Sequence, residues 1–169
     1  EASFYNEKTL ERISVYNIDK ASAIKVNNYY TTIFNENLEL MAAAILKDPV
    51  SGVYRYFAGS KHGILVSTDY GINWPAKFLS DYKIYTFSVY KKLNQLYAGT
   101  SNGLYVTING TYWLKVNIWD KTEAIVYTYL WNDCLYFVTG SGETYYFKIP
   151  DESEQKIYVP ILEKPANNS

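Results

Sequence analysis

Two residue types that carry much of metal and nucleophile chemistry are nearly missing from this sequence. It holds one cysteine, Cys134, and one histidine, His62, in 169 residues. A single cysteine excludes an intrachain disulfide and any cysteine-based metal site. Its place in the run Cys134-Leu135-Tyr136-Phe137-Val138 predicts a buried small hydrophobe rather than a reactive thiol. His62 has no second imidazole with which to share an ion. It lies between Lys61 and Gly63, so a turn residue is expected and a Ser/His/Asp arrangement is not. Neither a metal nor a cofactor is expected, and no Gly-rich phosphate loop is present.

An excess of either charge is absent as well, with 16 basic against 17 acidic residues. The net charge is −1, and Arg12 and Arg55 are the only arginines. Nothing here supplies the basic footprint of a nucleic-acid binder; the one doublet, Lys91-Lys92, falls in an expected turn. Long apolar runs are absent too. The longest, residues 38–46, contains Glu39 and is far short of the ~20 residues that cross a bilayer. No membrane span is expected. Residues 1–4 have neither a basic stretch nor an apolar core, so this sequence shows no signal peptide, and one already removed is the alternative.

What the chain has is tyrosine, 19 of them, within a hydrophobic content of 48% and a charged content of 20%. Tyrosine favours strands and covers apolar surface while keeping its hydroxyl in water. The composition is that of a globular all-β domain.

An internal repeat organises the chain. Tyr56-Phe57-Ala58-Gly59-Ser60-Lys61-His62-Gly63-Ile64-Leu65-Val66-Ser67 returns about forty residues later as Leu96-Tyr97-Ala98-Gly99-Thr100-Ser101-Asn102-Gly103-Leu104-Tyr105-Val106-Thr107. A weaker third copy starts at Leu135-Tyr136-Phe137-Val138-Thr139-Gly140. Each unit reads as short antiparallel strands joined by tight turns. In the second, residues 82–90 alternate, placing Tyr85, Phe87 and Val89 on one face and Ile84, Thr86 and Ser88 on the other. Four strands in about forty residues is the pattern of a propeller blade, whose sheet must stack on neighbours to bury both faces. The expected architecture is therefore all-β and β-propeller-like. Three clear repeats fall at residues 38–79, 80–122 and 123–162, and residues 163–169 form a tail. Residues 1–37 supply a divergent blade or closing strands, with strand-like runs at 13–18, 23–26 and 29–34.

Ser67-Thr68-Asp69-Tyr70-Gly71-Ile72-Asn73-Trp74 follows the third strand of the first repeat and fits S-x-D-x-G-x-x-W. The second repeat has a form one residue tighter, in which Thr107, Asn109, Gly110 and Trp113 hold the matching places. In the third, the acidic turn Pro150-Asp151-Glu152-Ser153-Glu154 takes its place. Asp69 is suited to accept amide hydrogen bonds from its own turn, Gly71 to supply a positive φ, and Trp74 to bury a large ring between hairpins.

These turns resemble the Asp-box, or BNR, repeat of sialidase-like and sortilin-like propeller proteins. In that family the box is a folding element on the outer edge of a blade, so the resemblance implies a structural role for Ser67, Asp69, Gly71 and Trp74 and for Thr107, Asn109, Gly110 and Trp113. It implies no one chemistry, because the family includes sialidases, other glycoside hydrolases, receptor domains, assembly factors and adhesins. A sialidase of that family binds its substrate carboxylate with three arginines, and this sequence has two. Other glycosidases need two positioned carboxylates; Asp81, Asp120, Glu123 and Asp133 all fall around expected turns.

A non-catalytic binding or adhesion module is the expectation, with no catalytic residues. Its partner is a protein or a glycan met through aromatic-rich loops, for which Tyr90, Trp119, Tyr129 and Trp131 are the candidates near strand ends. Packing between blades is the alternative for all four. The second functional expectation is a structural part of a virion or cell-surface complex, including a homo-oligomer that completes the propeller. The resemblance, with the acceptor-like Asn109-Gly110-Thr111, implies an extracellular or cell-surface location, or a virion.

Overall fold

The computed structural model describes residues 1–6, 11–28, 30–117, 122–151 and 165. Its described residues form four separate antiparallel sheets, and in each the strands lie in chain order. Sheet one is β1 (Ala2–Asn6), β2 (Glu11–Ile18), β3 (Ala21–Val26) and β4 (Tyr30–Phe34). Sheet two is β5 (Ala42–Lys47), β6 (Tyr54–Ser60), β7 (Gly63–Ser67) and β8 (Ala76–Phe78). Sheet three is β9 (Ile84–Tyr90), β10 (Gln95–Thr100), β11 (Gly103–Thr107) and β12 (Leu114–Lys115). Sheet four is β13 (Ile125–Trp131), β14 (Cys134–Thr139) and β15 (Thr144–Lys148). Any fourth strand of the last repeat would fall after Lys148, where residues 152–164 lie outside the described residues, as does most of the acidic turn at 150–154.

The described residues between 1 and 37 thus build a four-stranded meander. Its paired faces explain why. Ala2 and Phe4 of β1 stand opposite Val15 and Ile13 of β2, which stand opposite Ile24 and Val26 of β3. That apolar face packs on Ile45, Tyr56 and Ala58 of sheet two. The next cluster joins Ala44, Phe57 and Val66 of sheet two to Ile84, Leu96 and Ala98 of sheet three. The third joins Tyr97 and Leu104 of sheet three to Leu135, Phe137 and Phe147 of sheet four. Sheets two and three are therefore covered on both faces, which is why residues 56–59 of β6 and 96–99 of β10 read as unbroken small and apolar runs instead of alternating.

The first strands of successive sheets lie against each other, β1 on β5, β5 on β9 and β9 on β13. Among the described residues no comparable packing runs from β13 back to β1. Gly59 and Gly99 permit the close approach along this line. A Cβ on Gly59 would stand 2.7 Å from Ile84 Cγ2, and one on Gly99 2.6 Å from the Ile125 carbonyl oxygen.

The alternation expected over residues 82–90 holds from Thr86 to Tyr90 only. A bulge between Gly99 and Thr100 sets Thr86 opposite Gly99 but Ile84 opposite Thr100. The extra residue turns Ile84 to the same side as Phe87 and Val89, into the cluster shared with sheet two.

Candidate functional site

The three strands of sheet four put two unlike rows of side chains on their two faces. Thr128, Leu130, Leu135, Phe137 and Phe147 turn towards sheet three. Tyr127, Tyr129, Trp131, Tyr136 and Tyr146 turn the other way. Tyr129 stands opposite Tyr136, and Tyr136 opposite Tyr146, so three rings line up across the strands. Their centroids are 4.8 Å and 4.9 Å apart with near-parallel planes. Trp131 leans on the middle ring, 6.4 Å from Tyr136, and Tyr127 on an end ring, 6.1 Å from Tyr129. Because the rings stack on one another, the surface they offer is one of ring edges and hydroxyls. The row is open along β13, with exposures of 55% for Tyr127, 41% for Tyr129 and 65% for Trp131.

The register between Ile125 and Tyr127 slips by one residue, which leaves Val126 exposed beside Tyr127. Cys134 lies opposite Lys148 on this outer face and is half-buried. That corrects the expectation of a fully buried thiol: the apolar run from Cys134 to Val138 alternates between a covered face and an open one, and Cys134 falls on the open side.

Of the four aromatic candidates, Tyr129 and Trp131 come together on the outer face. Tyr90 does not join them. It is buried in the cluster between sheets three and four, where its hydroxyl donates to Asp133 at 3.1 Å. Burial, then the Asp133 carboxylate, raise the Tyr90 phenol above its usual value. Lys92 also reaches Asp133, at 2.6 Å, and with Tyr90 holds that carboxyl below its usual range. Trp119 lies outside the described residues. Tyr127, Tyr136 and Tyr146 are members of the row that the sequence reading passed over. The period of two in Tyr127-Thr128-Tyr129-Leu130-Trp131 is the signal that places the first on the same face as Tyr129.

The turns at 67–74 and 107–113 serve another purpose. Ser67 Oγ donates to Asp69 Oδ1 at 2.7 Å and accepts from the Gly71 amide at 2.9 Å. Asp69 then takes the Asn73 amide at 3.0 Å and the Asn73 side chain at 2.9 Å. These donors, the Asn73 amide foremost, hold the Asp69 carboxyl below its usual range. Gly71 has φ +84°, and a Cβ there would stand 2.5 Å from Val26 of sheet one. Trp74 donates from Nε1 to Thr32 Oγ1 at 3.3 Å. The turn that follows β7 therefore ties sheet two back to sheet one.

The second turn repeats this one sheet along. Thr107 Oγ1 donates to Asn109 Oδ1 and accepts from the Gly110 amide, and Asn109 Oδ1 takes the amides of Thr111 and Tyr112. Gly110 presses on Phe57 of sheet two, and Trp113 meets the same ring edge-on at 6.2 Å. Trp113 Nε1, unlike that of Trp74, is buried with no hydrogen-bond acceptor among the described residues.

Several other polar side chains are engaged locally. Arg12 pairs with Glu1 on the outer face of sheet one. Arg55 lies on sheet two, half-buried beside Asp48. Glu123 accepts from Ser141, which lowers its pKa from the usual value. Tyr56 donates to the Glu11 carboxylate and so links sheets one and two. Asp120 lies outside the described residues. Among the described residues no group of three His, Cys, Asp or Glu side chains is placed to hold a metal ion. Among the described residues no helix is long and apolar enough to cross a membrane. No protein-family model matches the chain, and no curated protein matches it.

Proposed function

We propose that the four sheets are successive blades of an open propeller-type arc related to Asp-box proteins, and that the chain is a non-catalytic binding module. It recognises a protein surface through the outer face of sheet four. The observation that carries this reading is the row Tyr127, Tyr129, Trp131, Tyr136 and Tyr146, five aromatic side chains on one sheet face, three of them well exposed. Aromatic groups of this kind supply contact area at low cost in conformational entropy and dominate protein interfaces. Stacked rings that show their edges and hydroxyls suit a flat, partly polar protein surface. The order of the sheets, the packing of first strand on first strand, and two matching turns that each tie a sheet to the one before it support the propeller and Asp-box parts of the reading.

A glycan is the second reading, favoured by one observation. The Trp131 indole is the most exposed ring of the row, and sugars stack on such faces. Titration with oligosaccharides, cellohexaose and sialyllactose among them, separates the two. The protein reading predicts no change in the Trp131 indole resonance. A saturable shift, lost in Trp131→Ala, favours the glycan. The main test is the double variant Tyr129→Ser/Trp131→Glu. It should melt within a few degrees of the parent and lose association with protein, since the Tyr129 ring contact is worth about 1 kcal/mol. Unchanged association in a folded variant contradicts the proposal.

A further inference from the structure

The outer face of sheet four repeats the register of a face that elsewhere in the chain is covered by a sheet. Tyr136 holds the place of Tyr97, Tyr129 that of Ser88, and Trp131 that of Tyr90, as the paired registers of β13–β14 and β9–β10 show. In sheet three those positions pack on sheet four. By continuity with the three interfaces already formed, the occupant of the aromatic face is another β-sheet.

One difference narrows the choice of sheet. Gly59 and Gly99 leave room for Ile84 and Ile125, which the following sheet brings up on its first strand. Sheet four has Val138 at that register, opposite Tyr127. Its covering sheet must therefore be one whose first strand brings no large aliphatic side chain there. Sheet one fits, because Ser3, the residue near the start of β1 that turns away from sheet two, is small. The same outer face carries Ile33 and Tyr5, both exposed, together with the cations Arg12 and Lys25. Guanidinium and ammonium groups donate hydrogen bonds, which tyrosine hydroxyls accept.

We infer that the partner is a second copy of this chain, in which sheet four of each copy packs on sheet one of the other. Residue i of one copy then meets residue j of its partner and j meets i, so the assembly closes with two-fold symmetry and leaves no edge for further growth. It has eight sheets in one ring, within the range propellers use. The inference rests on the reading of sheet four as a binding face and names its occupant.

Complementation tests it. Trp131→Glu marks the sheet-four face, and Tyr5→Glu/Ile33→Glu marks the sheet-one face; all three positions are exposed. By sedimentation equilibrium the parent should be a dimer at tens of micromolar. Each variant alone should associate at least tenfold more weakly, because both of its contacts are damaged. An equimolar mixture should regain a heterodimer, since one of the two contacts is then intact on both sides. Serine variants at the same positions replace any glutamate variant whose circular dichroism shows it unfolded. The inference is overturned if the parent is monomeric, if the sheet-one variant dimerises like the parent, or if mixing restores nothing. In a monomeric parent, oxidation of Tyr127 and Tyr129 by hydroxyl radicals leaves the face available to another partner. Protection of both overturns the binding-face reading as well.

Discussion

The face that sheet three turns to sheet four and the outer face of sheet four occupy the same register and carry different residues. The first has Thr86, Ser88 and Gly99, and its hydroxyls bond across the interface, Ser88 to Thr128 at 2.7 Å and Thr86 to Thr128 at 3.2 Å. The second has Tyr127, Tyr129 and Val138 in those places. A face built to sit tightly on the next sheet of its own chain uses small residues and closes its polar groups against that sheet. A face built of large rings keeps its own area filled by stacking them sideways, and can meet a partner without being preshaped by one. The lesson is that one repeat can serve as core or as contact surface according to the size of three side chains.

Breaking the two faces of sheet four should separate them most clearly. Phe137→Ala empties a fully buried site between sheets three and four and should cost about 3–5 kcal/mol in urea denaturation. Tyr129→Ala on the opposite face should cost about 1 kcal/mol, the worth of one ring contact. Similar losses would mean that the outer row is core.

Exchange of residues between the two faces sharpens the comparison at the next level. Gly99→Val copies Val138 into sheet three, where the new side chain meets the Ile125 carbonyl and Thr86. It should destabilise by about 1–3 kcal/mol through overpacking. Val138→Gly, on the open side, should cost about 1 kcal/mol or less.

The two turns offer a finer contrast. Asp69→Ala and Asn109→Ala should each cost about 1–2 kcal/mol, because each acceptor serves at least two donors of its own turn. Trp74→Phe loses the bond to Thr32 and should cost about 1 kcal/mol more than Trp113→Phe, whose indole N–H has no acceptor to lose. Equal effects would remove the distinction between the turns.

Acid should act through carboxylates that are held ionised. The amides of Ser51 and Val50 lower the Asp48 pKa from 3.8 to about 2, and Asp69 and Asp133 shift the same way. A folded-state pKa below the unfolded value stabilises the fold above the unfolded pKa, and that contribution is lost as the pH falls through the folded value. The urea midpoint should therefore hold steady between roughly pH 5 and 8 and fall below about pH 4. Asp48→Asn should flatten part of that fall, and an unchanged profile would remove Asp48 from the account.

The repeat was legible because Gly59 and Gly99, and the turn glycines after them, recur in step, and such positions tolerate little else. The two turns were legible for the same reason. The sheet at residues 1–37 could be read only as strand-like runs. Its tight turn at Asp19 and Lys20 has no glycine, although Asp19 takes a positive φ of 51°. The site was legible in part. Tyr90 and Trp131 hold matching places at the end of the first strand of their sheets, opposite Gln95 and Cys134. One is buried and one exposed because a further sheet covers only the first, and that difference lies in neither residue.

Hydroxyl-radical footprinting of the parent chain across a range of concentrations tests the binding face directly. The account predicts that Tyr127, Tyr129 and Trp131 are oxidised in dilute protein and become protected together with Tyr5 as concentration rises, while buried Tyr56 and Tyr97 stay protected throughout. Oxidation of the sheet-four row that does not change with concentration, or protection that arises elsewhere, would contradict it.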